Sequence, residues 1–164
     1  MPTNYEPIAT TTLGSAAASI TFSSIAGTYT DLRLVLVTIT SGGANRIRFN
    51  SDTGTNYSRT YVAGDGSAAA SSRSSNSTQI FMNYNASPSS TIPYLHQIDI
   101  FSYAGSTNKT ILWDQNLDLN GSGDVVKGVG MWRNTSAITA IELSNNVGNF
   151  LTGTTATLYG ILKA

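Results

Sequence analysis

Apolar and polar residues alternate with a period of two along most of the chain. Ile20 and Phe22 alternate with Ser19, Thr21 and Ser23, and Leu32, Leu34 and Leu36 with Arg33, Val35 and Val37. Arg46 and Arg48 alternate with Ile47 and Phe49. β-Branched and aromatic side chains dominate these runs, as pleated surfaces prefer. The pattern predicts strands over residues 7–13, 18–25, 31–40, 45–50, 57–63, 78–84, 94–104, 109–117, 125–133, 137–143 and 155–163. Turn chemistry separates them: Gly14-Ser15, Ala26-Gly27, Ser41-Gly42-Gly43, Asp52-Thr53-Gly54, Gly64-Asp65-Gly66, Ser87-Pro88, Ala104-Gly105-Ser106, Asn120-Gly121-Ser122-Gly123 and Thr152-Gly153. No stretch longer than a turn or two follows a helical period. Short strands at a spacing of about 8–12 residues predict an all-β fold, an antiparallel β-sandwich of jelly-roll-like type. Residues 31–40 are apolar on both faces, as expected where one face meets the core and the other a neighbour.

Two segments stand outside the alternation. Residues 1–7 read as a short N-terminal arm, followed by a single β-sandwich domain over residues 8–164. Residues 64–78 contain no large apolar side chain and read as a long surface loop.

Composition narrows what this fold can do. Nine Lys+Arg balance nine Asp+Glu, so the formal net charge is zero and nucleic acid is not an expected partner. Only 11% of residues are charged, against roughly 25% in an ordinary domain. Ser, Thr, Asn and Gly supply 72 of the 164 residues, so the polar surface is built from neutral hydroxyls and amides. Sparse charge removes the repulsion that keeps small domains apart, and Lys, the usual guard of edge strands, occurs only at 109, 127 and 163. Both features predict a component of an assembly. There is no Cys, which excludes disulfides, thiol catalysis and Cys-based zinc sites. The longest strongly apolar run is Leu34-Val35-Leu36-Val37, and no basic segment precedes an apolar one near Met1. The expectation is therefore a chain made in the cytoplasm without a secretory signal or membrane span.

Candidate chemistry is thin. His96 is the single histidine, and Asp99 lies three residues on, on the opposite face of a strand, which does not suit a Ser-His-Asp triad. Asp99, Asp114, Asp118 and Glu142 are the candidates for paired-carboxylate chemistry, with Trp113 beside Asp114. Asn50-x-Asp52-x-Gly54-x-Asn56 and the run from Asp118 to Asp124 place oxygen ligands at intervals that calcium loops use. Neither has the acidic count or glycine spacing of an EF-hand. Arg46 and Arg48, with Arg59 and Arg73 further on, could form a small anion site or pair with a partner. The reading is that the chain has no catalytic residue, metal site or cofactor.

Ile8-Ala9-Thr10-Thr11-Thr12-Leu13, Ile20-Thr21-Phe22-Ser23-Ser24-Ile25 and Tyr29-Thr30-Asp31-Leu32-Arg33-Leu34-Val35 resemble the opening of small β-sandwich virion proteins of tailed bacteriophages. Residues 49–58, Phe-Asn-Ser-Asp-Thr-Gly-Thr-Asn-Tyr-Ser, resemble that family's middle motif, and Leu158-Tyr159-Gly160-Ile161 its last strand. The resemblance is closest over residues 8–60. It implies a capsid decoration (cement) protein: a homotrimer on the outer capsid surface of a virion, bound to the major capsid protein at subunit junctions and stabilising the shell. The alternative it implies is a tail- or head-fibre domain that binds host surface glycans. Tyr5 and Ile8, in the segment 1–12, are the expected contacts with a neighbour or the capsid. Trp113, Trp132 and Tyr159 are the expected core or subunit-interface anchors.

Overall fold

The computed structural model describes residues 4–84 and 89–162. Residues 1–3 of the expected arm, the Ser87-Pro88 turn and Lys163 lie outside the described residues. Twelve strands run in the order β1 Tyr5–Thr12, β2 Ser19–Phe22, β3 Asp31–Thr38, β4 Asn45–Phe49, β5 Tyr57–Gly64, β6 Ala69–Ser77, β7 Ile80–Phe81, β8 Tyr94–Phe101, β9 Lys109–Asp118, β10 Gly123–Trp132, β11 Ile141–Asn145 and β12 Thr155–Ile161. They form two antiparallel sheets: eight strands ordered β1-β12-β3-β8-β9-β10-β5-β6, and four ordered β2-β11-β4-β7. The chain crosses repeatedly between the two, and the result is the antiparallel β-sandwich that the alternation predicts.

The inward positions of both sheets make the core. Leu32, Leu34 and Leu36 of β3, Ile98 and Ile100 of β8, and Ile111 and Trp113 of β9 pack with Ile20, Phe22, Ile47, Phe49 and Leu143 of the small sheet. Trp113 lies beneath the central β9–β10 pair, where its cross-strand partner is Gly128. A Cβ on Gly128 would fall inside the indole ring, so the indole fits there because the partner has no side chain. Trp132 packs against Phe49 (5.6 Å between centroids) and stacks on Tyr57 (6.3 Å), and its Nε1–H donates to Asp52 Oδ2 at 2.7 Å.

Local turn chemistry fixes the hairpins. Asn120 and Gly121 both adopt positive φ (60° and 106°), and the flanking Leu119 N–H donates to Ser122 O at 2.7 Å. This is the left-handed tight turn that joins twisted antiparallel strands, here β9 and β10. The β5–β6 turn is held by Asp65, whose Oδ1 accepts the Ser67 and Ala68 N–H groups at 2.9 and 2.8 Å.

Three departures from the sequence reading have physical causes. Residues 64–78 are not a loop: Ala69–Ser77 is β6, paired antiparallel with β5. It is an edge strand that buries almost nothing, so its stability comes from the backbone ladder and its side chains carry no apolar alternation. Residues 5–7, assigned to the arm, belong to β1 and pair with β12, with a register shift between Pro7 and Ala9. The expected strand 137–143 begins only at Ile141; Ile138 is fully buried, but from irregular backbone that precedes it.

Candidate functional site

Strand pairing assembles the outer face of the eight-stranded sheet from alternate residues of every strand. One row across it runs Pro7, Tyr159, Arg33, Asp99, Leu112, Val129, Thr60 and Arg73. The next contains Val35, Gln97, Asp114, Lys127, Val62 and Ser71, and a third contains Val37, Leu95, Asn116, Val125 and Gly64. Of the large apolar side chains exposed among the described residues, Tyr5, Val62, Leu95, Phe101, Leu112, Val125 and Val129 lie on this face. Val62 is 60% and Val125 58% exposed. Leu112 and Val129 are direct cross-strand neighbours, and the Asp114–Lys127 pair and Asn116 separate them from Leu95 and Val125; exposed apolar groups clustered on one face mark interaction surfaces.

The charges at the centre of the face, Arg33, Asp99, Asp114 and Lys127, are paired locally. Arg33 makes a two-pronged contact with Asp99, Nε to Oδ1 at 2.5 Å and Nη2 to Oδ2 at 2.8 Å. Its guanidinium also lies 5.5 Å from the Tyr5 ring centre, and Tyr5 packs edge-on against Tyr159 at 6.1 Å. Hydrogen bonding to Asp99 raises the Arg33 pKa further. Lys127 Nζ donates to Asp114 Oδ1 at 2.9 Å. The Lys127–Asp114 pair is solvent-exposed and contributes little to stability, whereas the two-pronged Arg33–Asp99 pair is partly buried. Their consequence is a face whose centre, among the described residues, carries no unpaired ion, with Arg73 unpaired at the β6 edge.

The expected interface residues divide. Tyr5 and Tyr159 belong to this face, at its β1–β12 end. Ile8 sits at the β1 register shift, half-buried and packed on the core. Trp113 and Trp132 are each 1% exposed and are core anchors, with no surface to offer a neighbour. The residues that dominate the face, Leu112, Val125 and Val129, are not singled out by the sequence, because apolar residues on both sides of a strand read as core from either side.

The candidate reactive groups are occupied elsewhere. His96 is fully buried on the inward side of β8, and Asp99 faces outward, as the spacing predicts. Asn145 Nδ2 donates to Asn45 Oδ1 at 3.2 Å, which leaves Asn45 Nδ2 to donate to His96 Nε2 at 2.7 Å. The imidazole is therefore neutral with its proton on Nδ1, and burial pushes its pKa down to about 3. Asp114 is held by Lys127, Glu142 by Arg48 at 3.3 Å, and Asp118 Oδ1 accepts the Asn120 N–H. In the first calcium-loop candidate, Asp52 accepts from Trp132, Asn56 and Gly54, and these hydrogen bonds, the one from Trp132 foremost, hold its carboxyl below the usual range. Among the described residues, no group of three or more His, Asp or Glu is placed to hold a metal.

The four arginines of the anion-site candidate separate as well. Arg46 donates to Asn145 O, Arg48 pairs with Glu142, and Arg59 donates to Phe81 O. Arg73 reaches the outer face beside a groove of about 540 Å³ lined by Ser58, Thr60, Ser75, Thr110, Val129 and Met131. Arg73 belongs to none of the ion pairs formed among the described residues.

No family model matches the sequence, and no curated protein sequence does. The crystal structure of the Caenorhabditis elegans galectin LEC-6 is similar at 13% identity over 94% of this chain and 95% of that one, with a TM-score of 0.37. At that score the likeness bears on no individual residue here.

Proposed function

We propose that this protein is a phage capsid decoration (cement) protein without enzymatic activity. It binds the outer surface of the shell at junctions between major capsid protein subunits as a homotrimer, and its docking surface is the outer face of the eight-stranded sheet. The observation that carries the reading is the exposed apolar pair Leu112–Val129 with Val62, Leu95 and Val125 around it, where the central charges pair as Arg33–Asp99 and Asp114–Lys127. Size supports it. Eight strands at about 4.8 Å spacing and about eight residues of about 3.3 Å rise give a face of about 38 by 26 Å. That is about 1,000 Å², enough for the roughly 800 Å² that each partner buries in a stable interface. The pairing of the central charges fits the same role, because that part of the face meets a shell without desolvating unpaired ions, Arg73 lying at the β6 edge.

A fibre domain that binds host glycans is the second reading. The hydroxyl-rich groove beside Arg73 favours it, but no aromatic ring is among the residues lining that groove to give a sugar an apolar platform. Copy number separates the two. Quantitative gel densitometry of purified particles carrying the protein is expected to give copies on the order of hundreds, in proportion to the shell lattice. A count of a few dozen or fewer at one vertex would favour the fibre and contradict the cement reading.

A further inference from the structure

The sandwich has four sheet edges, and three of them are protected against further strand pairing. β1 carries Pro7 and a register shift, β2 has four residues and β7 only two. β6 is different. It pairs with β5 in regular register over the six residues Ala69 to Ser74, and the register shift and the positive φ of Asn76 are confined to its C-terminal end; among the described residues its other backbone edge has no neighbouring strand, and it has no Pro, Lys or Glu. A regular six-residue edge without Pro or Lys is a template for another strand. Its side chains are small, apart from Arg73. That guanidinium projects on the outer face opposite Thr60 and has no carboxylate partner among the described residues.

We infer that β6 is an acceptor edge for an extended segment of a partner protein, added as a ninth strand with a carboxylate side chain opposite Arg73. Directly opposed side chains lie about 5 Å apart on one face of an antiparallel pair, within ion-pair reach of a guanidinium. The small neighbours Ser71, Ser72, Ser74 and Ala70 present no steric bar to residues on either side. Charge argues against a second copy in the register that sets Arg73 opposite itself. A two-fold pairing of β6 with itself centred on Arg73 would set two guanidinium groups face to face. The other long edge of a second copy, β1, is the one carrying Pro7 and the register shift.

The test involves no shell, so its outcome is independent of the shell-binding reading. Isotope-labelled full-length protein is titrated with the synthetic peptide Thr-Val-Thr-Glu-Thr-Val-Thr, and separately with the same peptide carrying Lys in place of Glu, while backbone amide shifts are followed. The expected result is perturbation concentrated on residues 69–74, with the Glu peptide binding at least about threefold tighter than the Lys peptide. Arg73→Glu, at an exposed position, is expected to leave the melting temperature unchanged and to reverse that order. Equal response to both peptides, perturbation elsewhere, or no response would overturn the inference. Shifts at residues 69–74 that change on dilution of the protein alone would assign the edge to a second copy and overturn it too.

Discussion

Replacing Gly128 with alanine is expected to lower the melting temperature by roughly 6–12 °C, from about 3 kcal/mol of lost stability. Gly128 sits mid-strand in β10, directly opposite Trp113 on β9, and an added methyl group would occupy space already taken by three atoms of the indole. The indole is 1% exposed and the backbone of β10 is pinned by β5 on one side and β9 on the other, so neither can yield cheaply. Thermal unfolding of the variant checks this, with Gly14→Ala as the comparison. Gly14 is exposed and a Cβ there meets nothing within 4 Å, so its substitution is expected to change stability by no more than about 0.5 kcal/mol. Pairing Gly128→Ala with Trp113→Leu should recover part of the loss, since the smaller side chain vacates the contested volume.

Acid is expected to weaken the fold through the single histidine, His96. His96 is buried and neutral, with a folded pKa of about 3 against about 6.5 when unfolded. Below pH 6.5 the unfolded chain binds a proton that the native state refuses. Stability is therefore full above that pH and falls by about 1.4 kcal/mol per unit as pH drops toward 3. At pH 5 the loss is about 2 kcal/mol. The hydrogen-bond chain explains the refusal: a protonated Nε2 would face the amino group of Asn45, which is oriented by Asn145. No other histidine exists to blur the window, and Asp52 and Asp65, whose pKa values are lowered in the fold, add their own loss only below about pH 4. Urea midpoints measured between pH 7.5 and 5 should show the slope in the native protein and its removal in His96→Gln.

The sandwich was legible wherever burial imposes alternation. β3, with Leu32, Leu34 and Leu36 inward, and β9, with Ile111 and Trp113 inward, declare themselves because the core demands one apolar residue in two. β6 does not, because an edge strand of Ala and Ser is held by its backbone alone and leaves no apolar signature. The start of β1 is missed for the same reason: Tyr5 and Pro7 are exposed, and only pairing with β12 orders them. The candidate face was half-visible. Tyr5, Tyr159 and the doubly apolar strand 31–40 point to it, whereas Leu112, Val125 and Val129 acquire meaning only once register sets them side by side. The two tryptophans show the converse, since so large an apolar area goes first to the core that the fold provides.

The protein's lack of cysteine allows the docking face to be read directly. Single substitutions Val62→Cys and Val129→Cys place thiols on the outer face of the eight-stranded sheet, and Thr21→Cys places one on the exposed side of the four-stranded sheet. Maleimide labelling rates are then compared for the free protein and the protein bound to purified capsids. The expected result is labelling slowed at least about tenfold at residues 62 and 129 by burial in the contact, with residue 21 unchanged. Free-protein rates at 62 and 129 on the particle, or protection at 21 instead, would contradict a shell-binding role for this face.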